Sequence, residues 1–216
     1  MLNMDMELNC AVDTTQALWQ SSPRAGVWRK PLAREEAERG HATSIVKYDS
    51  GAWFHAHNHP AGEEILVLSG TFSDETGNFG AGTYFRNPAG FRHAPFSEQG
   101  CELFVKLHQF QAGDEDRVQV NTEDASLWVN DGKLRQLRLH EYNEETVDIY
   151  QTSEHGLVLS LTGNSEILVL AGGVTVGDDP TLIHNSGKWL RFPVQHSVPL
   201  KFIEPESKVW IKRGHF

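Results

Sequence analysis

Cysteine is scarce in this sequence of 216 residues, which contains only Cys10 and Cys101. No C-x-x-C pair exists, so the sequence excludes a zinc ribbon and a thioredoxin-like redox site. Two cysteines so far apart could hardly provide a disulfide scaffold for a chain of 24.2 kDa. We therefore expect a fold stabilised by its apolar core, and apolar residues make up 39% of the chain.

Basic clusters and long apolar runs are also missing. The formal net charge is −10, and Lys and Arg cluster only briefly, at residues 24–30 and 133–138, so binding to nucleic acid is not expected. The apolar runs are far shorter than a membrane span. The first residues, MLNMDMELNC, lack the basic start and the apolar stretch of a secretory signal. We expect a cytoplasmic protein that binds neither nucleic acid nor membrane.

Short segments rich in β-branched and apolar residues recur through the chain, and turn-forming residues bound each of them. The clearest are TSIVKY (43–48), EILVL (64–68), LFVKL (103–107), ILVL (167–170) and VWIK (209–212). The sequence SDETGN (73–78) predicts a hairpin turn. Only residues 32–39 favour a helix, and they have no apolar stripe. These patterns predict an all-β protein.

Three segments recur in the same order about 100 residues later. EEILVLSG at 63–70 returns as SEILVLAG at 165–172, LFVK at 103–106 as VWIK at 209–212, and GVWRKPL at 26–32 as GKLRQLRL from Gly132. A repeat of this length indicates a tandem duplication. We predict an N-terminal arm at residues 1–20, a first β-barrel at 21–112 and a second at 121–214.

Residues 51–70, GAWFHAHNHPAGEEILVLSG, contain the candidate site. Side chains two apart on a strand point to the same side, so His57 and His59 can face one interior. Glu63 follows across a Pro-Ala-Gly turn, and His93 comes from a second block after a Pro-x-Gly turn. Three imidazoles and one carboxylate suit a divalent ion with open coordination positions, and zinc, iron(II), manganese and nickel all accept this set.

Both blocks resemble the two sequence motifs of the cupins. The first fits G(X)5HXH(X)3E(X)6G and the second fits G(X)5PXG(X)2H(X)3N, except that Ser97 replaces the last Asn. The matching positions are Gly51, His57, His59, Glu63, Gly70, Gly82, Pro88, Gly90 and His93. The resemblance implies two tandem jelly-roll barrels, the double-stranded β-helix of cupins, with one metal bound by His57, His59, Glu63 and His93.

Within the cupins, HNHPAGEEILVLSGTFSDETGNFGAGTYFRNP and the lead-in SSPRAGVWRKPLARE resemble the cupin domain of ChrR-type anti-sigma factors. This resemblance implies that zinc is the metal and that the protein is a sensor of a small molecule or an oxidant. A ChrR protein also has a helical domain with its own His/Cys zinc site. Because Cys10 stands alone and no histidine precedes His41, we do not expect binding to a sigma factor.

The same branch of the cupins is similar to dioxygenases that cleave small diketones or hydroxy-ketones, so an iron(II)- or manganese-dependent enzyme is the alternative. The family resemblance also implies a homodimer. No G-x-S-x-G elbow, P-loop or G-x-G-x-x-G fingerprint indicates other chemistry. In the second barrel Ser165 replaces Glu63, and His184 and His196 lack the motif spacing, so we expect no metal there.

Four further residues carry weaker expectations. We interpret His55 and His108 as buried histidines bonded to the backbone, with a role beside the metal or substrate as the alternative. Glu64 alternates away from Glu63 and should be a solvated carboxylate. Cys101, which has no adjacent cation, should be a small buried apolar residue.

Overall fold

The computed structural model describes residues 1–35, 40–193 and 197–216. The chain divides into two compact units. Unit 1 consists of Met1–Met4 and Ala17–Glu123, and unit 2 consists of Asp5–Gln16 and Asp124–Phe216. Residues 5–16 of the predicted N-terminal arm therefore belong to unit 2.

The described residues form β-strands and one short 3-10 helix, Ala125–Leu127, and no helix among them is long and apolar enough to cross a bilayer. In chain order the strands are β1 (Cys10–Asp13), β2 (Gln20–Ser21), β3 (Val27–Arg34), β4 (Ala42–Tyr48), β5 (Ala52–Trp53), β6 (His57–His59), β7 (Glu63–Asp74), β8 (Gly77–Gly80), β9 (Thr83–Asn87), β10 (Phe91–His93), β11 (Phe96–Ser97), β12 (Cys101–Leu107), β13 (Val118–Asn121), β14 (Val129–Asn130), β15 (Leu134–Tyr142), β16 (Glu145–Thr152), β17 (Val158–Leu161), β18 (Ser165–Ala171), β19 (Gly173–Val176), β20 (Ile183–Asn185), β21 (Lys188–Phe192), β22 (Val198–Phe202) and β23 (Lys208–Arg213).

Unit 1 is built on an antiparallel sheet in the order β13-β9-β7-β12-β4-β3-β2, with β8, β5 and β11 attached beside the second half of β7. A separate pair, β10-β6, carries three of the four predicted ligands. Alternate residues of β4, β7 and β12 point into one apolar core that includes Val46, Ile65, Val67, Leu103 and Val105. The β-branched, alternating composition of these segments explains both their strand conformation and their burial.

Unit 2 contains one sheet in the order β1-β21-β18-β23-β16-β15-β14 and a second in the order β17-β22-β19-β20. Strand β1 of the N-terminal segment completes the first sheet by pairing with β21. The two repeats occupy equivalent places, because β18 lies between β21 and β23 as β7 lies between β9 and β12. The strands that the sequence repeat aligns are thus central in both units.

The all-β prediction is confirmed, and the fold belongs to the jelly-roll class of β-sandwich. The predicted hairpin is also present, since β7 and β8 pair around Glu75 and Thr76. The stretch with helix-favouring composition does not begin as a helix, because Leu32–Arg34 ends β3, and residues 36–39 lie outside the described residues. Closure of each unit into a complete barrel stays a prediction.

Candidate metal centre

Two short strands place three histidines on one side of unit 1. His57 and His59 are the ends of β6, and β10 pairs with β6 in the register that sets His93 opposite His57. Glu63 follows a turn in which Gly62 has a φ of +82° and lies so close to the ring of Phe110 that a Cβ atom would clash. Only glycine satisfies both the left-handed backbone and the close approach.

The four side chains converge. The ligating nitrogens of His57, His59 and His93 all lie within 4.8 Å of one another, and the Nε2 atoms of His59 and His93 are 3.0 Å apart. Glu63 Oε2 lies 3.6 Å from His59 Nε2 and 3.5 Å from His93 Nε2. The structure therefore brings together all four residues that the sequence nominated, and the histidine cluster could hold a divalent ion.

Hydrogen bonds fix which nitrogens face the centre. His93 Nδ1 lies 3.1 Å from Asp74 Oδ2, and His57 Nδ1 lies 2.8 Å from the carbonyl oxygen of His55. Both partners only accept, so each Nδ1 carries a proton and donates it. In the neutral imidazole the lone pair is then on Nε2, which is the atom that a metal requires.

Burial shapes the electrostatics of the centre. Burial, followed by repulsion from His93 and His57, lowers the pKa of His59 to about 3, so this imidazole stays neutral. Burial likewise raises the pKa of Glu63. Burial opposes charge on His93 and Asp74 too. For His93 the hydrogen bond with Asp74 and the nearby carboxylates together outweigh burial, so its pKa is raised. For Asp74 the hydrogen bonds with His93 and Thr76 together outweigh burial, so its pKa is lowered.

The donor set fits a divalent cation. Glu63 is buried, and its Oε2 accepts a long hydrogen bond of 3.4 Å from Asn87 Nδ2. A buried carboxylate without strong donors costs free energy, and a bound cation removes that cost. Two Nε2 lone pairs directed at the same point as this carboxylate complete a set that is typical of zinc, iron(II), manganese or nickel.

A cavity of about 350 Å³ adjoins the centre. His57, His59 and Glu63 form part of its wall, and the remainder is largely apolar, with Phe54, Ile65 and Val105 among the lining residues. A purely structural metal site is normally closed on all sides. Here a molecule of modest size can reach the predicted ligands.

Asp74 and Asn87 are the residues of the centre that the sequence did not nominate. Asp74 ends β7, where its Oδ1 accepts hydrogen bonds from the backbone N–H and the hydroxyl of Thr76. It was hidden within the predicted hairpin turn, for which an aspartate needs no further explanation. Strand alternation could have indicated its position, because Phe72 and Asp74 lie on the same face of the strand.

The weaker expectations fare differently. His55 is exposed and packs edge-on against Trp53, so its interpretation as buried was wrong. Its carbonyl oxygen accepts the hydrogen bond from His57 Nδ1. His108 lines the cavity, which supports its alternative role beside the metal or substrate. Its backbone N–H donates to the Gly62 carbonyl oxygen. Cys101 is buried in the core as predicted, and burial raises its pKa to about 11.

Glu64 contradicts its expectation, because only 3% of its surface is exposed. It does alternate away from Glu63, but residues 109–114 cover that face and contribute Phe110 and Asp114 to it. Glu64 and Asp114 both form ion pairs with Arg86, which is fully buried. The second face of this sheet is therefore a buried polar layer.

Two motif departures have local explanations. Ser97, where the motif has Asn, is buried and donates from Oγ to the Thr71 carbonyl oxygen at 2.6 Å, which ties β11 to β7. Ser165, at the position of Glu63 in unit 2, is buried and donates to the Gly163 carbonyl oxygen. His184 is buried on β20, and His196 lies outside the described residues. That unit 2 binds no metal stays a prediction.

Comparison with known proteins agrees with this picture. Residues 8–111 match the family model of the ChrR cupin-like domain, whereas no curated protein matches the sequence. Among solved structures, a proposed dioxygenase from Nostoc punctiforme is 15% identical with a TM-score of 0.74, covering 97% of this chain and 84% of its own. A bacterial pirin from Escherichia coli, in complex with nickel(II), is 12% identical with a TM-score of 0.68, covering 97% and 100%.

A cupin 2 conserved barrel domain protein from Leptotrichia buccalis is also 12% identical, with a TM-score of 0.66 and coverage of 99% of both chains. At these identities the solved structures establish the fold alone. This chain contains, over residues 8–111, a match to the ChrR cupin-like domain, and it has the fold of the solved cupin structures that it resembles.

Proposed function

We propose that unit 1 binds one divalent ion, zinc in the first instance, through His57, His59, Glu63 and His93, and that this ion binds a small molecule from the adjoining cavity. The chain would then act as a metal-dependent sensor of that molecule. The observation that carries the proposal is the meeting of the four side chains beside a cavity of about 350 Å³, whose wall includes His57, His59 and Glu63. A divalent ion held by these four residues would supply a Lewis-acidic centre for a molecule bound in the cavity.

The proposal predicts one metal per chain in protein purified without added metal. His57→Ala removes a ligand whose lone pair is held toward the centre by the His55 carbonyl oxygen, so we expect the metal content to fall well below half. His55→Ala is the matched control, because it removes an exposed imidazole two residues away and leaves the carbonyl oxygen in place. Elemental analysis of both variants measures the outcome, and an unchanged content in His57→Ala contradicts the site.

Asp74→Asn should weaken metal binding about 10- to 100-fold, the usual effect of losing a carboxylate that orients a histidine ligand. The amide can keep accepting from Thr76 through Oδ1, but it no longer favours the proton on His93 Nδ1. The neighbouring Glu75→Gln is the control, since Glu75 is exposed at its carboxylate and accepts from the backbone N–H of Ala94. Competition with a fluorescent zinc chelator measures both affinities. Equal losses in the two variants would argue against this role for Asp74.

Catalysis is the second candidate, and access from the cavity to the predicted ligands favours it. A redox-active ion would supply oxygen chemistry, while the apolar wall would orient a small diketone or hydroxy-ketone and exclude water. Reconstitution with iron(II) separates the candidates. Oxygen uptake that requires a diketone supports the enzyme, whereas native zinc without oxygen uptake on iron reconstitution supports the sensor.

A further inference from the structure

Strands β3 and β4 continue the sheet beyond β7 and β12, and they form part of the wall of the cavity. From β4, the alternate residues Ala42, Ser44, Val46 and Tyr48 line the cavity. Their partners on β3 include two arginines, because Arg29 pairs with Val46 and Arg34 pairs with Ala42. Both arginines also line the cavity.

A β-bulge brings the second arginine inward. Strict alternation from Arg29 would set Pro31 and Ala33 on the cavity side and Arg34 on the other face. The register shifts between Pro31 and Ala33, so the extra residue Leu32 reverses the alternation. Bulges of this kind redirect a side chain, and here the redirected side chain is a guanidinium group.

Arg34 lies on the same cross-strand row as a predicted metal ligand. Glu63 on β7 pairs with Leu107 on β12, Leu107 pairs with Ala42 on β4, and Ala42 pairs with Arg34 on β3. All four residues line the same cavity. Arg29 belongs to the row of Val46, about 13 Å further along the strand at ~3.3 Å per residue.

The charges in the cavity are unbalanced in the direction of an anion. Among the lining residues that the structure describes, two are arginines and one, Glu63, is a carboxylate. The divalent ion of the proposed function would add further positive charge. The guanidinium fork matches a carboxylate through two parallel hydrogen bonds. Because much of the wall is apolar, such a bond is less screened than in water.

We propose that the molecule bound in the cavity is a small organic acid with a carbonyl or hydroxyl oxygen beside its carboxylate. The carboxylate binds Arg34, and Arg29 adds positive charge about 13 Å further along the wall. This inference rests on the proposed function, since the metal supplies the second point of attachment. It assigns an acid, where the sequence alone had nominated neutral diketones and hydroxy-ketones.

Pyruvate and 2,3-butanedione test the assignment, because they have nearly the same size and carbonyl group but differ by a carboxylate. The full chain is first loaded with zinc and its metal content is measured, and each probe is then titrated calorimetrically. We expect pyruvate to bind about 10- to 100-fold more tightly than butanedione, as a charged hydrogen bond implies. Arg34→Gln should abolish this preference with unchanged metal content, and Arg34→Lys should retain part of it.

Arg92→Gln is the matched control. Arg92 is exposed on β10, and this substitution removes the same charge from the same unit. It should keep the preference for pyruvate. The inference is overturned if the metal-loaded protein binds pyruvate no more tightly than butanedione, or if it binds neither. The metal site stands in both cases. If zinc does not bind, the proposed function itself fails, and the metal analysis shows this before any titration.

Discussion

Removal of the metal is expected to lower the free energy of unfolding of unit 1 by about 4 kcal/mol, when the free metal concentration had been about a thousandfold above its dissociation constant. The reason is local. Among residues 1–35, 40–193 and 197–216, the partners of the buried Glu63 carboxylate without the cation are the long hydrogen bond from Asn87 and two imidazole nitrogens beyond 3.4 Å. Chelation followed by calorimetry, compared with the zinc-loaded protein, measures the loss as a fall in the unfolding midpoint.

Glu63→Gln makes this prediction specific, because it keeps the shape of the side chain and removes its charge. In the metal-free protein the variant should be at least as stable as the parent at neutral pH. Burial raises the pKa of Glu63, so its charged form destabilises the fold above the ordinary pKa of a glutamate, and the amide avoids that cost. In the presence of zinc the order should reverse, since the amide is a poorer ligand. A variant less stable than the parent by the same amount in both states would contradict the account.

Much of the centre was predictable because its chemistry depends on short spacings. His57 and His59 lie two apart, so a strand places both on one side, and the Pro-Ala-Gly turn returns the chain to Glu63. The EILVL repeat likewise predicted the central strands of both units, since an unbroken apolar segment needs neighbours on either side. These are local properties that one stretch of sequence contains in full.

The other features of the fold and the site depend on which distant segments pack against a strand. A local sequence pattern does not predict such packing. The pairing of β1 with β21 joins segments far apart in the chain, and the bulge that turns Arg34 inward depends on the register between β3 and β4. The prediction for Glu64 was wrong for the same reason. Alternation along the strand shows which face a side chain is on, but it does not show whether another segment buries that face. One signal was present: the repeat keeps this acid as Glu166, which is also buried, while Glu63 becomes Ser165. An acid retained in both copies is better explained by a buried partner than by solvent.

That buried partner carries the second large prediction. Replacing Arg86 with methionine should destabilise unit 1 by about 3–5 kcal/mol, the usual cost of breaking a buried ion pair by removing one member. Arg86 is fully buried, pairs with Glu64 at 3.1 Å and with Asp114, and its guanidinium carbon lies 4.0 Å from the centre of the Phe110 ring. Methionine fills similar space, so the loss reports the two abandoned carboxylates more than a cavity.

Hydrogen exchange of peptides from β7 and β9 during urea unfolding measures this loss within unit 1 itself. Arg117→Met is the matched control, because Arg117 is exposed, and it should change stability by less than about 1 kcal/mol. Adding Glu64→Gln and Asp114→Asn to Arg86→Met should restore much of the stability, since neutral amides need no cation. If the triple variant is no more stable than Arg86→Met, packing around Phe110 and not charge holds this layer together. Packing would then explain the polar residues on the face of β7 that contains Glu64. Metal binding would still explain Glu63 on the opposite face.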